Sequence, residues 1–382
     1  MTSQEIPSGH APWVSGSVHS PAPAAVSVGI AADYLTLRGG AERVEVAMLS
    51  AFPDAQLLAA MYDPDATFPE FRTHQVRTLW PDRIKALRHD VRRAFPVLAA
   101  TWSRAHMDAD VTFASSAGWA HAVNTTGRKI VYCHNPARWL YQPDDYFQGF
   151  PPAVRPLVRL WDGPLRKWDY RAARSADHYL VNSTSVHRRV LNAYGIDAEI
   201  LHPPVTIDAT GEQEPPAALE PGYLLTVSRP RGYKNTELLV EAISRVPDAR
   251  LVVVGGPTSE TTGESSRIIR LRGLSDSQLR WLYAHARALL AASFEDFGLT
   301  PIEANAFGTP AIALRAGGYL DSVVEGVNGL FFDENTPSAI AQAVDQLDTA
   351  GLEPDRIRAH ADRFSLARFV ARLRALAASP GA

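Results

Sequence analysis

The stretch SFEDFGLTPIEANAFGTP, from Ser293 to Pro310, decides how this chain is interpreted. The apolar run before it, ALLAAS, has the length of a buried β-strand, and the residues after its glycine have a helical pattern. Thr300 is predicted as the N-cap of that helix, Pro301 as its first residue and Glu303 as its third, which together form a capping box. This order of strand, loop and helix places backbone N–H groups at the carboxyl end of a strand, where open α/β sheets bind anions.

Two carboxylates, Glu295 and Glu303, stand eight positions apart in this stretch with a glycine turn between them. Both side chains are candidates for contacting a ligand at the strand end. A purely structural interpretation is also open, in which Glu303 only caps the helix and Glu295 is a solvated loop acid. Two acids alone do not decide between these alternatives, so the surrounding sequence has to.

The spacing of the two acids, the Phe-Gly pair between them and the continuation TPAIALRAGGYLDSVVEGVNGLFF resemble retaining glycosyltransferases of family 4 (glycosyltransferase group 1). The resemblance implies an α/β protein of the GT-B fold, with two Rossmann-like domains facing a central cleft and a C-terminal helix that crosses back to the N-terminal domain. One segment departs from many relatives: Gly317–Asp321 reads GGYLD, with Asp321 in place of a glutamate. This variant resembles the segment found in a mannosyltransferase-like branch of the family. The segment is expected to lie over the sugar diphosphate.

Composition limits the classes of protein to which the chain can belong. Its 382 residues, 46% of them hydrophobic, suffice for two domains, and a net charge of −3 carries no nucleic-acid signature. The single cysteine, Cys133, cannot form an internal disulfide and fits a reducing compartment. No apolar run approaches the roughly 18 residues of a membrane span. The Ser-, Pro- and Ala-rich residues 1–24 lack the features of a secretory signal and are expected to be a disordered arm.

Short apolar strands alternate with helical patterns along most of the chain, which predicts parallel α/β sheets. The proline-rich stretch 201–222 interrupts this alternation and is expected to link two domains. With the resemblance, the expected organisation is an N-terminal acceptor-binding Rossmann-like domain at 25–200 and a C-terminal nucleotide-sugar-binding Rossmann-like domain at 201–363. A helix at 364–382 is expected to pack on the N-terminal domain. The predicted strands include 25–33, 56–62, 110–116, 129–135, 178–183, 223–229, 250–256 and 288–293.

The loop VSRPRGYKNTE carries a basic pair, Arg229 and Lys234, between a predicted strand end and the next helix. Both positions face the sheet edge that receives the helix start at Thr300. A bidentate arginine and a point-charge lysine suit the charges of a leaving nucleoside diphosphate, although two surface cations in a loop are the plainer alternative. In the resembled family such a pair neutralises the diphosphate, and a catalytic metal is not needed. Arg231, in the same loop, is the weaker candidate.

The resemblance assigns further roles in binding the donor. Glu303 is expected to accept hydrogen bonds from ribose hydroxyls, and Glu295 to contact a hydroxyl of the transferred sugar. Backbone N–H groups at the helix start are expected to hold the distal phosphate, a segment after IIRL to read the base, and two consecutive glycines to allow close backbone approach. The donor-binding residues expected beside the two acids and the basic pair are Gly39, Gly40, Arg272, Gly273, Leu274, Phe297, Gly298, Leu299 and Thr300.

His134 ends a predicted strand, where a lone histidine is often only structural. In the resembled family a histidine at this strand end lies beside the reacting sugar. Trp139 and Tyr141 follow in an aromatic segment that is expected to form the floor of an acceptor pocket. Cys133 cannot easily form a nucleophilic dyad with His134, because adjacent strand residues point to opposite faces. The expected catalytic residues are His134, Arg229, Lys234 and Glu295.

Two Asp-x-Asp triplets, Asp63–Asp65 and Asp108–Asp110, have the form that single-domain glycosyltransferases use to hold a divalent ion. The first has a turn composition. The second opens a strand, whereas ligands belong at a carboxyl end. We therefore predict no metal site.

Basic residues are concentrated between 72 and 189, where 19 Lys and Arg stand against 9 Asp and Glu. Within this part, 155–174 mixes cations with leucines and tryptophans, which suits the surface of an anionic membrane. A solvated helix face with its own core stripe explains the pattern equally well. The expected location is cytoplasmic, with peripheral contact at the inner face of the membrane as a further hypothesis.

The sequence thus predicts a retaining glycosyltransferase that moves a hexose, with mannose favoured, from a GDP- or UDP-sugar to a hydroxyl of a glycan, lipid-linked or small-molecule acceptor. A role in cell-surface polysaccharide or glycoconjugate synthesis is expected. The nucleotide sugar is a co-substrate, and neither a further cofactor nor a nucleic-acid partner is expected. Two alternatives stay open: an epimerase or hydrolase of nucleotide sugars, and a non-catalytic subunit that binds them.

Overall fold

Two parallel β-sheets organise the protein, one on each side of the proline-rich stretch. The structure is a computed structural model that describes residues 26–143, 154–216, 219–228, 235–255 and 267–379. The predicted arm at 1–24 and the basic loop with Arg229, Arg231 and Lys234 lie outside these residues.

Among the described residues, the first sheet has seven strands, all paired in parallel, in the order β3-β2-β1-β5-β7-β8-β9. The chain leaves β1 in one direction and returns at β5 on the other side, so the carboxyl ends of these two strands flank a crevice where such sheets bind ligands. Two short strands, β4 and β6, form a separate pair. The strands are β1 (Val28–Ala32), β2 (Gln56–Ala59), β3 (Val76–Thr78), β4 (His106–Met107), β5 (Val111–Ser116), β6 (Asn124–Thr125), β7 (Arg128–Cys133), β8 (His178–Val181) and β9 (Glu199–Ile200).

The second sheet repeats this plan with six parallel strands in the part of the chain that the structure describes, in the order β12-β11-β10-β13-β14-β15. Its crevice lies between the carboxyl ends of β10 and β13, and β13 leads directly into the stretch that begins at Ser293. The strands are β10 (Tyr223–Ser228), β11 (Leu251–Gly255), β12 (Ile268–Leu271), β13 (Ala286–Ala291), β14 (Ala311–Leu314) and β15 (Gly329–Phe332).

Helices connect the strands and cover the sheets. None of the helices in the described ranges is long and apolar enough to cross a membrane. The helices are α1 (Gly40–Ala51), α2 (Lys85–His89), α3 (Phe95–Trp102), α4 (Arg138–Tyr141), α5 (Val154–Ala173), α6 (Thr184–Tyr194), α7 (Thr236–Ser244), α8 (Asp276–His285), α9 (Leu299–Ala306), α10 (Tyr319–Ser322), α11 (Pro337–Asp345), α12 (Pro354–Ala361) and α13 (Leu366–Ala378).

The last helix, α13, belongs to the core of the first sheet although it follows the second sheet in the chain. Phe369, Leu373 and Leu376 recur at helical spacing and are buried in one cluster with Val44 and Met48 of α1. Full burial of each such side chain stabilises the fold by about 1.5–3 kcal/mol. The predicted crossing of the terminal helix back to the first domain is therefore confirmed, together with the two parallel sheets.

Helix α5 contains the predicted membrane-contact segment. Leu165 and Trp168 pack against the core of the first sheet, and Trp168 Nε1 donates a hydrogen bond to Ser103 Oγ at 2.7 Å. These two side chains serve the core stripe rather than a free apolar face. The side chains of residues 154–161, which include Arg155, Leu157, Arg159, Leu160 and Trp161 of that prediction, lie outside the described part of the chain.

Candidate active site

Helix α9 begins at Leu299, and its N-cap is Gly298 in the left-handed region at φ 82°. The predicted capping box is wrong: Thr300 lies inside the first turn, and no side chain caps the helix. Glycine lets the backbone turn two residues earlier than a threonine cap would. A Cβ at Gly298 would also lie 2.3 Å from the ring of Tyr319, so both the backbone conformation and the close approach require glycine.

Glu303 does not cap the helix and instead connects the two domains. Its carboxylate is buried, accepts a hydrogen bond from the hydroxyl of Tyr283 at 2.7 Å, and lies 3.2 Å from Nη1 of Arg43. Arg43 belongs to α1 in the first domain and also donates to Thr206 Oγ1 at 3.2 Å. Sequence reasoning missed Arg43. The only signal was its position one turn inside the helix that follows the glycine pair.

Two helix N-termini, one from each domain, meet at the cleft. Helix α1 has Gly39 as its N-cap and begins at Gly40, and no side chain caps it. A Cβ built on Gly40 would lie 3.9 Å from Cδ1 of Leu299, the first residue of α9. Each helix start presents backbone N–H groups and the positive end of a helix dipole, so their junction favours an anion.

Asp296, between the two predicted acids, makes further contacts across the cleft. Arg189 Nη1 of α6 donates to its Oδ1 at 2.5 Å, and Arg138 of α4 donates to its other oxygen. Arg189 also donates to Asn135 Oδ1 at 3.1 Å, next to His134. Sequence reasoning did not single out Asp296, because its partners lie far away in the chain.

The segment Gly317–Asp321 packs directly against the loop that carries Glu295. Gly318 N donates to Glu295 O at 2.9 Å, and Ser293 Oγ lies within hydrogen-bond distance of both Glu295 Oε1 and the Tyr319 hydroxyl, at 3.0 and 2.9 Å. Tyr319 is fully buried. This packing explains the tyrosine of the GGYLD variant, because its ring fills the space beside Gly298.

Asp321 of α10, which replaces the glutamate expected from the resemblance, contacts the first residue of α6 in the first domain. Its carboxylate accepts hydrogen bonds from the backbone N of Thr184 at 3.1 Å and from Thr184 Oγ1 at 2.5 Å. A carboxylate at a helix N-terminus is favoured by the helix dipole. Asp321 thus forms a further polar connection between the domains, beside those of Glu303 and Asp296.

His134 follows β7 and lies at the first-domain side of the cleft. Its Nε2 lies 2.8 Å from Ser115 Oγ, and its backbone oxygen accepts a hydrogen bond from Asn182 Nδ2 at 3.0 Å. Loss of hydration lowers the pKa of His134 to about 4, against the opposing effect of the Asp296 charge. The imidazole is therefore neutral at physiological pH. Burial raises the pKa of the neighbouring Cys133 thiol, which makes a thiolate nucleophile unfavourable.

The two aromatic residues predicted for the acceptor pocket occupy different environments. Trp139 is buried and stacks on Trp119 with ring centroids 5.6 Å apart, within the core of the first sheet. Tyr141 lines an open pocket next to Asn135. The segment predicted to read the base, Arg272–Leu274, lies between β12 and α8, and its Gly273 has φ 62°.

Two further arrangements of polar side chains were candidates for other chemistry in the described part of the chain. No group of three His, Cys, Asp or Glu side chains there is arranged to hold a metal ion. Ser116, His121 and Asp169 form a chain of contacts at 2.9 and 3.0 Å that resembles a hydrolytic triad. All three side chains are buried, so the chain of contacts is not accessible to a substrate.

Comparisons with known proteins agree with this architecture. Residues 210–363 match the family model of Glycosyl transferases group 1. D-inositol 3-phosphate glycosyltransferases of Mycobacterium tuberculosis and Mycobacterium bovis are 27% identical over 209 residues, which cover 48% of this chain and 44% of each relative. The alignment thus spans less than half the length of these curated relatives.

Solved structures match over nearly the whole chain. HepE of Anabaena, solved in complex with UDP and glucose, has a TM-score of 0.67 at 16% identity, covering 93% of this chain and 100% of HepE. Sucrose-phosphate synthase of Thermosynechococcus elongatus has a TM-score of 0.62 at 18% identity, covering 92% of this chain and 98% of the synthase. The protein therefore has the GT-B fold and carries a glycosyl transferases group 1 domain.

Proposed function

We propose that the protein is a retaining glycosyltransferase that transfers a hexose from a nucleotide diphosphate sugar to an acceptor hydroxyl. The observation that carries the proposal is the meeting of two helix N-termini, one from each domain, at Gly40 and Leu299. A diphosphate placed there would accept hydrogen bonds from both helix starts. The buried carboxylate of Glu303 stands in the same helix as Leu299, where it would accept hydrogen bonds from the ribose.

Charge stabilisation supplies the catalytic step in this proposal. Negative charge grows on the leaving diphosphate as the bond to the sugar breaks, and preorganised N–H groups and cations stabilise it. Arg229 and Lys234 are proposed to contribute these cations. Neutral His134 is proposed to contact the sugar from the other domain, and Glu295 one of its hydroxyls. Closure of the two domains would exclude the water that otherwise hydrolyses the donor.

The donor and acceptor are proposed at the level of chemical class. The GGYLD segment favours mannose, whereas HepE was solved with UDP and glucose, so both GDP-mannose and UDP-glucose are candidates. The names of the curated relatives support a transferase acting on a small hydroxyl-bearing acceptor. A metal-independent reaction, a role in polysaccharide or glycoconjugate synthesis, a cytoplasmic location and peripheral membrane contact are parts of the same proposal. Liposomes of anionic lipid that fail to retain the protein would remove the membrane contact.

The direct test is turnover of a panel of UDP-, GDP- and ADP-sugars, with and without acceptors, analysed for product. A transferase consumes one donor faster when its acceptor is present and yields a product of unchanged anomeric configuration. An epimerase changes the sugar without an acceptor, a hydrolase releases free sugar, and a non-catalytic subunit consumes nothing. Any of these three outcomes would contradict the proposal.

Lys234→Ala is expected to lower donor turnover at least tenfold, which corresponds to about 1.4 kcal/mol or more of transition-state stabilisation. The reason is the loss of one cation that balances charge on the leaving diphosphate. Steady-state kinetics of the variant beside Lys85→Ala, which removes an exposed lysine of α2, measure this effect. Equal turnover by both variants would exclude Lys234 from the reaction.

The transfer rate is expected not to depend on titration of His134 between about pH 5.5 and 8, because a pKa of about 4 keeps its imidazole neutral there. Only as the pH falls through about 4 does the ring gain a proton. A pH profile of kcat/KM for the wild type and for His134→Gln measures this. An acid limb near pH 6.5, the usual pKa of histidine, that is lost in the variant would contradict the neutral assignment.

A further inference from the structure

A pocket of about 600 Å³ opens next to the candidate active site in the first domain. Its wall includes Asn135 and Pro136, which directly follow His134 in the chain. Tyr141 and Tyr170 contribute aromatic rings, and Tyr170 is 43% exposed. The pocket is therefore adjacent to His134, on the side of the proposed reaction centre where the acceptor would bind.

Three cations and no carboxylate are among the lining residues of this pocket in the described part of the chain. The cations are Arg166 and Lys167 of α5 and Arg189 of α6. Lys167 is exposed, and no acid in the described ranges lies within ion-pair distance of it. Asp162 and Asp296 stand outside the pocket and pair with Arg166 and Arg189, so Lys167 carries the charge that no described carboxylate balances, and an anion in the pocket would be attracted to it.

The two arginines are held in place by neighbouring groups. Arg166 pairs with Asp162 at 2.9 Å, donates to the backbone oxygen of Leu140, and lies over the Tyr141 ring at 4.9 Å. These contacts use one edge of its guanidinium and keep the group at the wall of the pocket. A guanidinium held in this way loses less side-chain entropy when it binds a phosphate.

Arg189 connects the pocket to the active site. Its guanidinium contacts Asn135 Oδ1 on the pocket wall and Asp296 Oδ1 in the opposite domain. An anion in the pocket would therefore interact with the same arginine that holds the two domains together beside His134. The position of the pocket and its positive charge together indicate that it binds an anionic group near His134.

We propose that this pocket binds a phosphate group of the acceptor, so that the acceptor is a phosphorylated molecule whose hydroxyl reaches the space beside His134. That the bound molecule is an acceptor rests on the proposed transferase function. That it carries a phosphate rests on the pocket alone. An arginine guanidinium binds two phosphate oxygens at once through two N–H groups, and a lysine adds a point charge. The tyrosine rings would flank the part of the acceptor that lies between its phosphate and its hydroxyl. A soluble sugar phosphate and a lipid-linked phosphate share this chemistry.

The test uses the small number of lysines in this chain, which are Lys85, Lys129, Lys167 and Lys234. Pyridoxal 5′-phosphate is the probe: its aldehyde condenses with a lysine amine, its phosphate favours lysines beside an anion site, and borohydride fixes the product for peptide mass spectrometry. Lys85 is the matched control, because it is exposed on the short helix α2, which also carries Arg88, but does not line the pocket. Lys129 is buried and donates to two carbonyls and to Ser175 Oγ, so its labelling would report unfolding.

In the intact protein Lys167 is expected to be labelled at least about tenfold faster than Lys85, a difference of about 1.4 kcal/mol. Glucose 6-phosphate, or a polyprenyl phosphate in detergent micelles, is expected to slow labelling of Lys167, whereas glucose or empty micelles are not. The effective protector identifies a soluble or a lipid-linked acceptor. Arg166→Gln is expected to weaken this protection.

The proposal is overturned if Lys167 is labelled no faster than Lys85, or if neither phosphate compound protects it. Lys234 reports separately on the donor site. Protection of Lys234 by UDP or GDP without protection of Lys167 by either phosphate compound would leave the proposed transferase function standing and remove the phosphate pocket. Protection of Lys167 without protection of Lys234 would support the pocket and count against the proposed donor site.

Discussion

Replacing Glu303 by alanine is expected to lower kcat/KM for the donor about a hundredfold, equivalent to about 2.7 kcal/mol of transition-state stabilisation. The carboxylate is the buried acceptor that would bind ribose hydroxyls, and hydrogen bonds to a charged group contribute about 1.5–3 kcal/mol. Its removal also leaves Arg43 and the hydroxyl of Tyr283 without the partner they have in the structure. Steady-state kinetics with the donor as the varied substrate measure the effect.

Tyr283→Phe distinguishes binding of the donor by Glu303 from the hydrogen bond by which Tyr283 positions the Glu303 carboxylate. This variant removes the hydroxyl that donates to Glu303 Oε2 but leaves the carboxylate and Arg43 in place. Its kcat/KM is expected to fall less than tenfold, about 1.4 kcal/mol. Thermal unfolding of both variants shows whether either loss is only one of stability. Equal losses of kcat/KM in the two variants would mean that Glu303 acts through Tyr283 and not on the donor.

Gly318→Ala is expected to abolish measurable transfer, a loss of more than about a hundredfold, while the chain still folds. A Cβ at this position would lie 2.2 Å from Phe297 Cα and 2.3 Å from Asp296 O. Both atoms are backbone, so neither can move aside cheaply, and overpacking of this kind costs about 1–3 kcal/mol. The loop that carries Glu295 and Asp296 would have to shift away from the cleft.

Gly163→Ala is the matched control for that substitution. Gly163 lies inside α5, and an added Cβ meets no atom within 4 Å beyond its chain neighbours and the backbone of its own helix. Pro164 follows it, and proline disfavours helical backbone at a preceding residue that carries a Cβ, so alanine is not expected to raise the stability. Transfer activity should be unchanged. Wild-type activity in Gly318→Ala would show that the loop does not need its present position.

The sheets were predictable from the sequence because their strands are buried on both faces and therefore read as short continuous apolar runs. The predicted strand 129–135 corresponds to β7 at Arg128–Cys133, and 223–229 to β10 at Tyr223–Ser228. The sequence pattern erred at the start of α9, where Thr300 and Glu303 matched a capping box. The glycine at 298, with its left-handed backbone, ended the loop earlier than that local pattern indicated.

The cross-cleft partners of the site could not be predicted in the same way. Glu303 stood out because of its spacing from Glu295, whereas Arg43 and Asp296 belong to no local pattern. Their roles arise only when two domains approach each other and bring distant residues within about 3 Å. Periodicity and capping rules describe neighbours along the chain, so they give no information about such contacts.

The position of a bound nucleoside diphosphate tests the central claim most directly. A crystal structure of the protein with UDP or GDP is expected to show the distal phosphate within about 3 Å of the backbone N of Leu299. The phosphate should also face the start of α1 at Gly40, and the ribose should contact Glu303. A diphosphate bound away from both helix starts, or a ribose that does not reach Glu303, would contradict the account.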